Sequence, residues 1–247
     1  SNTTLFLLLA LEPLIPLIDL ILRGERIRIF LVHWVPAWLI AITLAFANNL
    51  PIEITGCLIT IMVVIRMGLF PGHAWLVYLT EKCSFTIALL FITPITPTLI
   101  LLANNQLLHE SHASLYLSWF AIASTIYFAG LTLVQRSLRN FFTYLCLALS
   151  AMVVLGICSH ETLQLTAAFS LRNSLWVALI GMGIIVRALE ARHGILSLFQ
   201  NHGFYESTPM LGIAFLVCGL GCVGFPGTSA FISFEMLADE IIPSSPF

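Results

Sequence analysis

Long apolar stretches separated by short polar breaks run the whole length of the chain. They cover roughly 5–22, 29–48, 53–80, 84–103, 114–134, 140–158, 163–187 and 210–238. A helix that crosses a bilayer needs about 20 mostly apolar residues, so the pattern predicts an all-α, polytopic transmembrane bundle of about eight spans. The breaks hold turn and interface residues: Arg23-Gly24-Glu25, Asn48-Asn49-Leu50-Pro51, Asn104-Asn105 and Asn201-His202-Gly203. No stretch fits a separate soluble domain, and 1–247 reads as one transmembrane domain.

Two stretches, 53–80 and 210–238, are too long for one plain span, and each is interrupted by the same tripeptide, Phe70-Pro71-Gly72 and Phe225-Pro226-Gly227. Proline removes a helix hydrogen bond and clashes with the preceding turn. Pro71, Gly72, Pro226 and Gly227 therefore mark two discontinuous helices. Non-helical backbone at membrane depth persists only where it lines a cavity or is buried in protein, and paired broken helices point to an internally repeated transporter. The expected halves are inverted repeats of about 1–110 and 111–247.

Composition agrees. Hydrophobic residues make up 59% and charged residues 9%, against about 25% charged in a typical globular chain, and the mean hydropathy is +1.01. That excludes a water-soluble enzyme and makes the lipid bilayer the solvent. A formal net charge of -2 with no basic stripe gives no nucleic-acid partner. The placement of charge says more. The first, third, fifth and seventh connections carry Arg23, Arg26 and Arg28, then Lys82, then Arg136 and Arg139, then Arg187 and Arg192; the even connections carry no Arg or Lys. Cytoplasmic loops collect such residues, so the odd connections are expected in the cytoplasm and both ends of this chain outside, in a bacterial inner membrane. The six cysteines lie in or beside apolar segments without metal-ligand spacing and read as packing residues, so no metal or cofactor is expected. Position 1 is not Met and no signal peptide is visible, which points to a fragment.

The two remaining cations, Arg66 and Arg172, fall inside apolar runs, where a charge costs about 2.5–3.5 kcal/mol or more. Arg66 needs a partner or water. Glu12 in the first stretch would supply one; alternatively Glu12 belongs to a frayed, surface-lying end shaped by Pro13 and Pro16. Asp19, two turns on, either extends that polar face or reaches for Arg23. Arg172 stands beside Asn173, with Gln164 two turns earlier, which suits a helix–helix hydrogen bond as well as an ion path. Glu235, followed by Asp239 and Glu240, either conducts ions or ends its helix at the interface. His73, directly after the first break, has the pKa of a proton shuttle or serves as a capping or packing residue. The run Gly219-Leu220-Gly221-Cys222-Val223-Gly224 spells a dinucleotide fingerprint but lacks the strand before it, and reads as helix-packing glycine.

At Arg66-Met67-Gly68-Leu69-Phe70-Pro71-Gly72-His73-Ala74-Trp75-Leu76 the chain resembles the antiporter-like membrane subunits of respiratory complex I and of Mrp-type antiporters, which read Lys-Ser-Ala-Gln-x-Pro-x-His-x-Trp-Leu there. Leu138-Arg139-Asn140 through Tyr144 to Ser150 is similar to the start of a later family helix, and Gly224-Phe225-Pro226-Gly227 to Phe231 is similar to the second broken helix. The resemblance implies a path for protons at membrane mid-depth, with Glu12 at the family's carboxylate and Arg66 at its first lysine; with His73, Arg172, Asn173 and Glu235, which lies one residue out of the family register, these are the candidate ion-pathway residues. It also implies partners: other membrane subunits, or a large soluble cytoplasmic protein. The chain departs from the family at several charged positions. Arg66 replaces lysine, Phe91 and Asn173 replace histidines, Val177 replaces the central lysine and Phe234 the terminal Lys or Glu; Pro94 and Pro97 alter the helix that follows the first break. The stretch corresponds to the fifth to twelfth helices of the family, without the first four.

The expected function is that of a proton- or cation-translocating subunit coupled to a partner, with no catalytic chemistry of its own. Three alternatives remain open: the membrane subunit of an energy-coupled inorganic-carbon uptake system with a zinc, carbonic-anhydrase-like partner, a non-conducting scaffold, and a small-solute channel.

Overall fold

The computed structural model describes residues 2–46, 50–92, 95–159, 161–194 and 208–241. The predicted turns at Asn48-Asn49 and Asn201-His202-Gly203, and Pro94, lie outside them, as do the side chains of Asp239 and Glu240. Every described element is a helix: α1 (Asn2–Leu11), α2 (Leu14–Leu22), α3 (Arg28–Phe46), α4 (Ile52–Arg66), α5 (Ala74–Lys82), α6 (Phe85–Ile92), α7 (Thr96–Ala103), α8 (Asn105–Glu110), α9 (Ala113–Val134), α10 (Leu138–Ile157), α11 (Thr162–His193), α12 (Pro209–Val223) and α13 (Ser229–Ile241).

Among the described residues, six helical stretches are long and apolar enough to cross a membrane: Thr3–Leu22, Arg28–Phe46, Phe85–Ala103, Ala113–Val134, Leu138–Ile157 and Thr162–Arg192. The two over-long stretches of the sequence each appear as a pair of shorter helices instead, α4 with α5 and α12 with α13. The first stretch also has a turn inside it, at Glu12-Pro13, because proline interrupts the hydrogen-bond ladder between α1 and α2.

The helices pack into one bundle. α9 lies against α10, α10 against α11, and α11 against α12 and α13; on the other side α1 packs on α3 and α7, and α3 on α4. The core includes Ile59, Met62, Trp75, Leu79, Phe128, Phe142 and Leu171. The outer face is apolar as well, with Leu22 80%, Leu133 87% and Val134 73% exposed, a surface suited to lipid rather than water. Buried Thr60, Ser124, Thr132 and Thr143 return their hydroxyls to the carbonyl one turn earlier, which satisfies them without leaving the helix.

Ion pairs and hydrogen bonds gather the cation-bearing connections at one end of the bundle. Lys82 Nζ lies 3.7 Å from Glu25, Tyr78 donates to the Arg26 carbonyl at 2.6 Å, and the Ser84 amide donates to Asp19. Arg139 binds Glu190 at 2.5 Å and donates to the Thr80 carbonyl, tying α10 to α11 and α5. Asp19 also holds Arg23 at 3.0 Å. Cys83, at this end, has its thiol pushed up to about 12 by burial and by neighbouring Asp19, so it is neutral and unreactive. At the opposite end, Asn105 and His109 bond the Ser159 carbonyl, joining two connections free of Arg and Lys. Loss of charge-assisted bonds of this kind costs about 1.5–3 kcal/mol, so Arg139→Gln is expected to lower the temperature at which the detergent-solubilised protein loses monodispersity.

Candidate functional site: a buried arginine behind a helix break

The site begins with the way α4 ends. Gly68 adopts φ +65°, and the Leu69 amide turns back to the Val64 carbonyl, the left-handed stop that favours glycine. A Cβ at Gly68 would lie 2.5 Å from Leu76 and 2.9 Å from Leu147, so the break is close-packed as well as bent. The backbone groups released by the break find side-chain partners. The Phe70 amide donates to Ser124 Oγ at 2.8 Å, and Trp75 Nε1 donates to the Ile65 carbonyl at 2.7 Å. In a bilayer these groups have no water to bond, so internal partners are required. Ser124→Ala would orphan the Phe70 amide at a cost of about 1–3 kcal/mol, and faster hydrogen exchange at residues 68–73 is the expected readout.

Arg66 is the last residue of α4 and is buried, its side chain 2% exposed. Its Nη2 lies 2.7 Å from Glu12 Oε2, its Nε donates to the same oxygen at 3.3 Å, and its Nη1 donates to the Phe91 carbonyl at 3.4 Å. Rings of Phe91, Trp34 and Trp75 lie 4.9, 5.6 and 5.7 Å from the guanidinium carbon, distances at which a ring face attracts a cation. Trp34 and Trp75 meet edge to face at 5.5 Å. Thr96 donates its hydroxyl to the other oxygen of Glu12. Glu12 therefore has both oxygens engaged, yet its side chain stays 27% exposed.

Glu12 is thus not a frayed end. It stands at the α1–α2 turn and faces Arg66. Asp19 joins a different group, Arg23 and Ser84, at the cationic end.

A separate small cavity of about 30 Å³ is lined by Met67, Thr98, Ser150 and Arg172 among others. This is room for one or two waters beside polar partners. Its wall joins Met67, just after α4, and Thr98 of α7 to residues of α10 and α11. Arg172 donates to Asn173 at 2.9 Å. Two residues earlier, Ser170 accepts from Ser233 of α13 at 3.0 Å, the polar contact between α11 and the second break.

The remaining candidates lie apart from the pair. His73 packs among Phe70, Tyr127 and Phe128, with ring centroids at 6.2, 5.6 and 5.0 Å. Glu235 is exposed and lines a groove with Leu145, Leu149 and Met152. The second break repeats the left-handed glycine stop of the first but not its chemistry. Gly224 has φ +73°, and the Phe225 amide returns to the Leu220 carbonyl. The side chain against the break is Phe234, 2.5 Å from where a Gly224 Cβ would stand. Among the family departures, Phe91 covers Arg66 and Val177 faces outward, 68% exposed. The glycine run of α12 is helical, and a Cβ on Gly221 would lie 3.3 Å from Ala178 of α11.

Sequence reasoning missed Thr96, Trp34 and Ser124. Each stands in an unremarkable apolar run, and only their long-range contacts give them a role.

These features define a polytopic membrane protein with a buried ion pair behind a helix break. Residues 29–242 match the family described as NADH:quinone oxidoreductase/Mrp antiporter, transmembrane, and the chain belongs to that family. It is 25% identical over 202 residues to NADH-quinone oxidoreductase subunit M of Rickettsia bellii (strain RML369-C), across 76% of this chain and 40% of that protein. It is 25% identical over 191 residues to the chloroplastic NAD(P)H-quinone oxidoreductase chain 4 of Chaetosphaeridium globosum, across 74% and 37%. The chain therefore spans about 40% of the length of these relatives. Its fold resembles a chain in the structure of the Mrp complex from Dietzia sp. DQ12-45-1b, with a TM-score of 0.71 at 17% identity, covering 85% of this chain and 43% of that one.

Proposed function

We propose that this chain is an antiporter-like membrane subunit that translocates protons or another cation and couples that flow to a partner within a multi-subunit complex. The observation that carries the reading is the Arg66–Glu12 pair, buried on the arginine side; in this reading the route runs on to the small cavity of Thr98, Ser150 and Arg172. Relatives named as subunits of quinone oxidoreductases and of an Mrp complex support the partnership.

In this reading Arg66 is a fixed charge, because a guanidinium does not release its proton in a protein. Glu12 is the group that changes state. While ionised it is held by Arg66 and Thr96; when a proton reaches it, the pair weakens and the uncompensated Arg66 charge favours anionic or dipolar groups on the cavity side. The two Pro-Gly breaks then belong to discontinuous spans in inverted repeats, and the cationic end faces the cytoplasm, with His73 and Glu235 lying along outer parts of the route. A purified complex reconstituted into vesicles tests this with an imposed pH step. Arg172→Gln is expected to slow proton flux about tenfold, equivalent to roughly 1.4 kcal/mol on the barrier. Unchanged flux would remove the second half of the route.

A second reading, the non-conducting scaffold, is favoured by one observation: apolar Phe91, Val177 and Phe234 occupy family charge positions. It predicts that polar substitutions leave the complex active while substitutions at its packing surfaces do not. The relatives named above give the inorganic-carbon reading no support.

A further inference from the structure

The cationic end contains a polar cavity of about 360 Å³ that the ion route does not use. Its wall includes four cations, Arg23, Lys82, Arg139 and Arg187, and two carboxylates, Glu81 and Glu190. We infer that this cavity binds a phosphate-bearing anion, either the phosphodiester headgroup of an anionic phospholipid or phosphate from solution, with Arg187 and Lys82 as its principal contacts.

The four cations are not equally occupied. Arg139 is committed to Glu190 at 2.5 Å and to backbone carbonyls of α5, and Arg23 is held by Asp19 at 3.0 Å. Lys82 reaches Glu25 only at 3.7 Å and is 43% exposed. Arg187 is exposed and forms no ion pair with a described residue. Glu81 keeps its negative charge on the wall while accepting from Asn140 at 2.9 Å, and it forms no ion pair with Arg187. Two cations with free donors therefore face one polar cavity, and a guanidinium matches the geometry of a phosphate oxygen pair.

Its position favours the lipid source. Leu22, next to Arg23, is 80% exposed, so an apolar surface for an acyl chain adjoins a polar pocket for its headgroup. Basic pockets between transmembrane helices at the cytoplasmic face are suited to anionic headgroups, with about 1 kcal/mol, or roughly fivefold in affinity, from each Lys or Arg near the surface.

Native mass spectrometry of the purified full chain in mild detergent tests this, with phosphatidylglycerol, phosphatidylcholine and sodium phosphate added separately. Retention of phosphatidylglycerol over phosphatidylcholine is expected. Arg187→Gln and Lys82→Gln should each weaken it about fivefold, while Arg187→Lys, which keeps the charge, should weaken it less. Arg28→Gln makes the same change of charge at the same end of the bundle, off the cavity wall, and should leave retention unchanged. Competition by sodium phosphate would identify the site as one for any phosphate anion; its absence would assign it to lipid. Equal retention of phosphatidylcholine, or an equal loss in Arg28→Gln, would overturn the inference.

Discussion

Replacing Arg66 with alanine is expected to be the most damaging single change in this protein. It empties the volume of a fully buried side chain, leaves the Glu12 carboxylate without its cation, and removes the group that fills the space between Trp34, Trp75 and Phe91. Breaking a buried ion pair by deleting one partner costs about 3–5 kcal/mol. The measurable results are a lower temperature for loss of monodispersity in detergent and loss of ion flux after reconstitution. Arg66→Lys separates charge from shape. Lysine keeps the charge beside Glu12 but loses the planar stacking and the reach to the Phe91 carbonyl, so stability should fall by less and flux should survive. If Arg66→Lys proves as inactive as Arg66→Ala, the guanidinium geometry, and not its charge, is what the site needs.

Glu12→Gln is the second large effect, and it divides function from folding. Glutamine can accept from Arg66 through its one oxygen and donate its NH2 to the Thr96 hydroxyl, so the fold should be retained at a cost of about 3 kcal/mol for the Arg66 charge left without a counter-ion. Flux should fall to background, because an amide carries no proton. A double variant sharpens the test. Replacing both partners of a buried pair by neutral residues is often close to neutral for stability, so Glu12→Gln with Arg66→Met should recover much of the thermal stability lost in the alanine variant while remaining inactive. Full flux in Glu12→Gln would leave the pair a packing feature and favour the scaffold reading.

The two helix breaks show how the same backbone device can serve different ends. Both stop a helix with a left-handed glycine and resume it a few residues later. At the first, the helix delivers a charged residue to the core and a serine and a tryptophan absorb the freed backbone groups. At the second, an aromatic ring packs against the glycine and the nearest carboxylate, Glu235, is exposed in an apolar groove. The asymmetry locates the strongest electrostatic feature in the first half of the chain.

The sequence by itself determined that this chain lives in lipid, where its apolar segments lie, that two of them are interrupted near a Phe-Pro-Gly tripeptide, though the stops themselves fall earlier, at Gly68 and Gly224, and that Arg66 needs a partner. These follow from local rules: apolar length against bilayer thickness, the missing proline amide, and the cost of a charge in hydrocarbon. It also ranked Glu12 as that partner, since a carboxylate in the same medium carries the same penalty. The tertiary structure alone decided that Glu12 stands at a turn and that Thr96 holds its second oxygen. It likewise brought three rings around Arg66 from α3, α5 and α6, and brought Ser124 of α9 to the open amide of Phe70. None of these could be read from spacing, because a serine or tryptophan in an apolar run has the same local signature whether it faces lipid or a buried backbone group. The gathering of Arg23, Lys82, Arg139 and Arg187 around one cavity was only half legible. Loop parity sorted the charges to one end, and helix packing then set which were neutralised by carboxylates and which were left free.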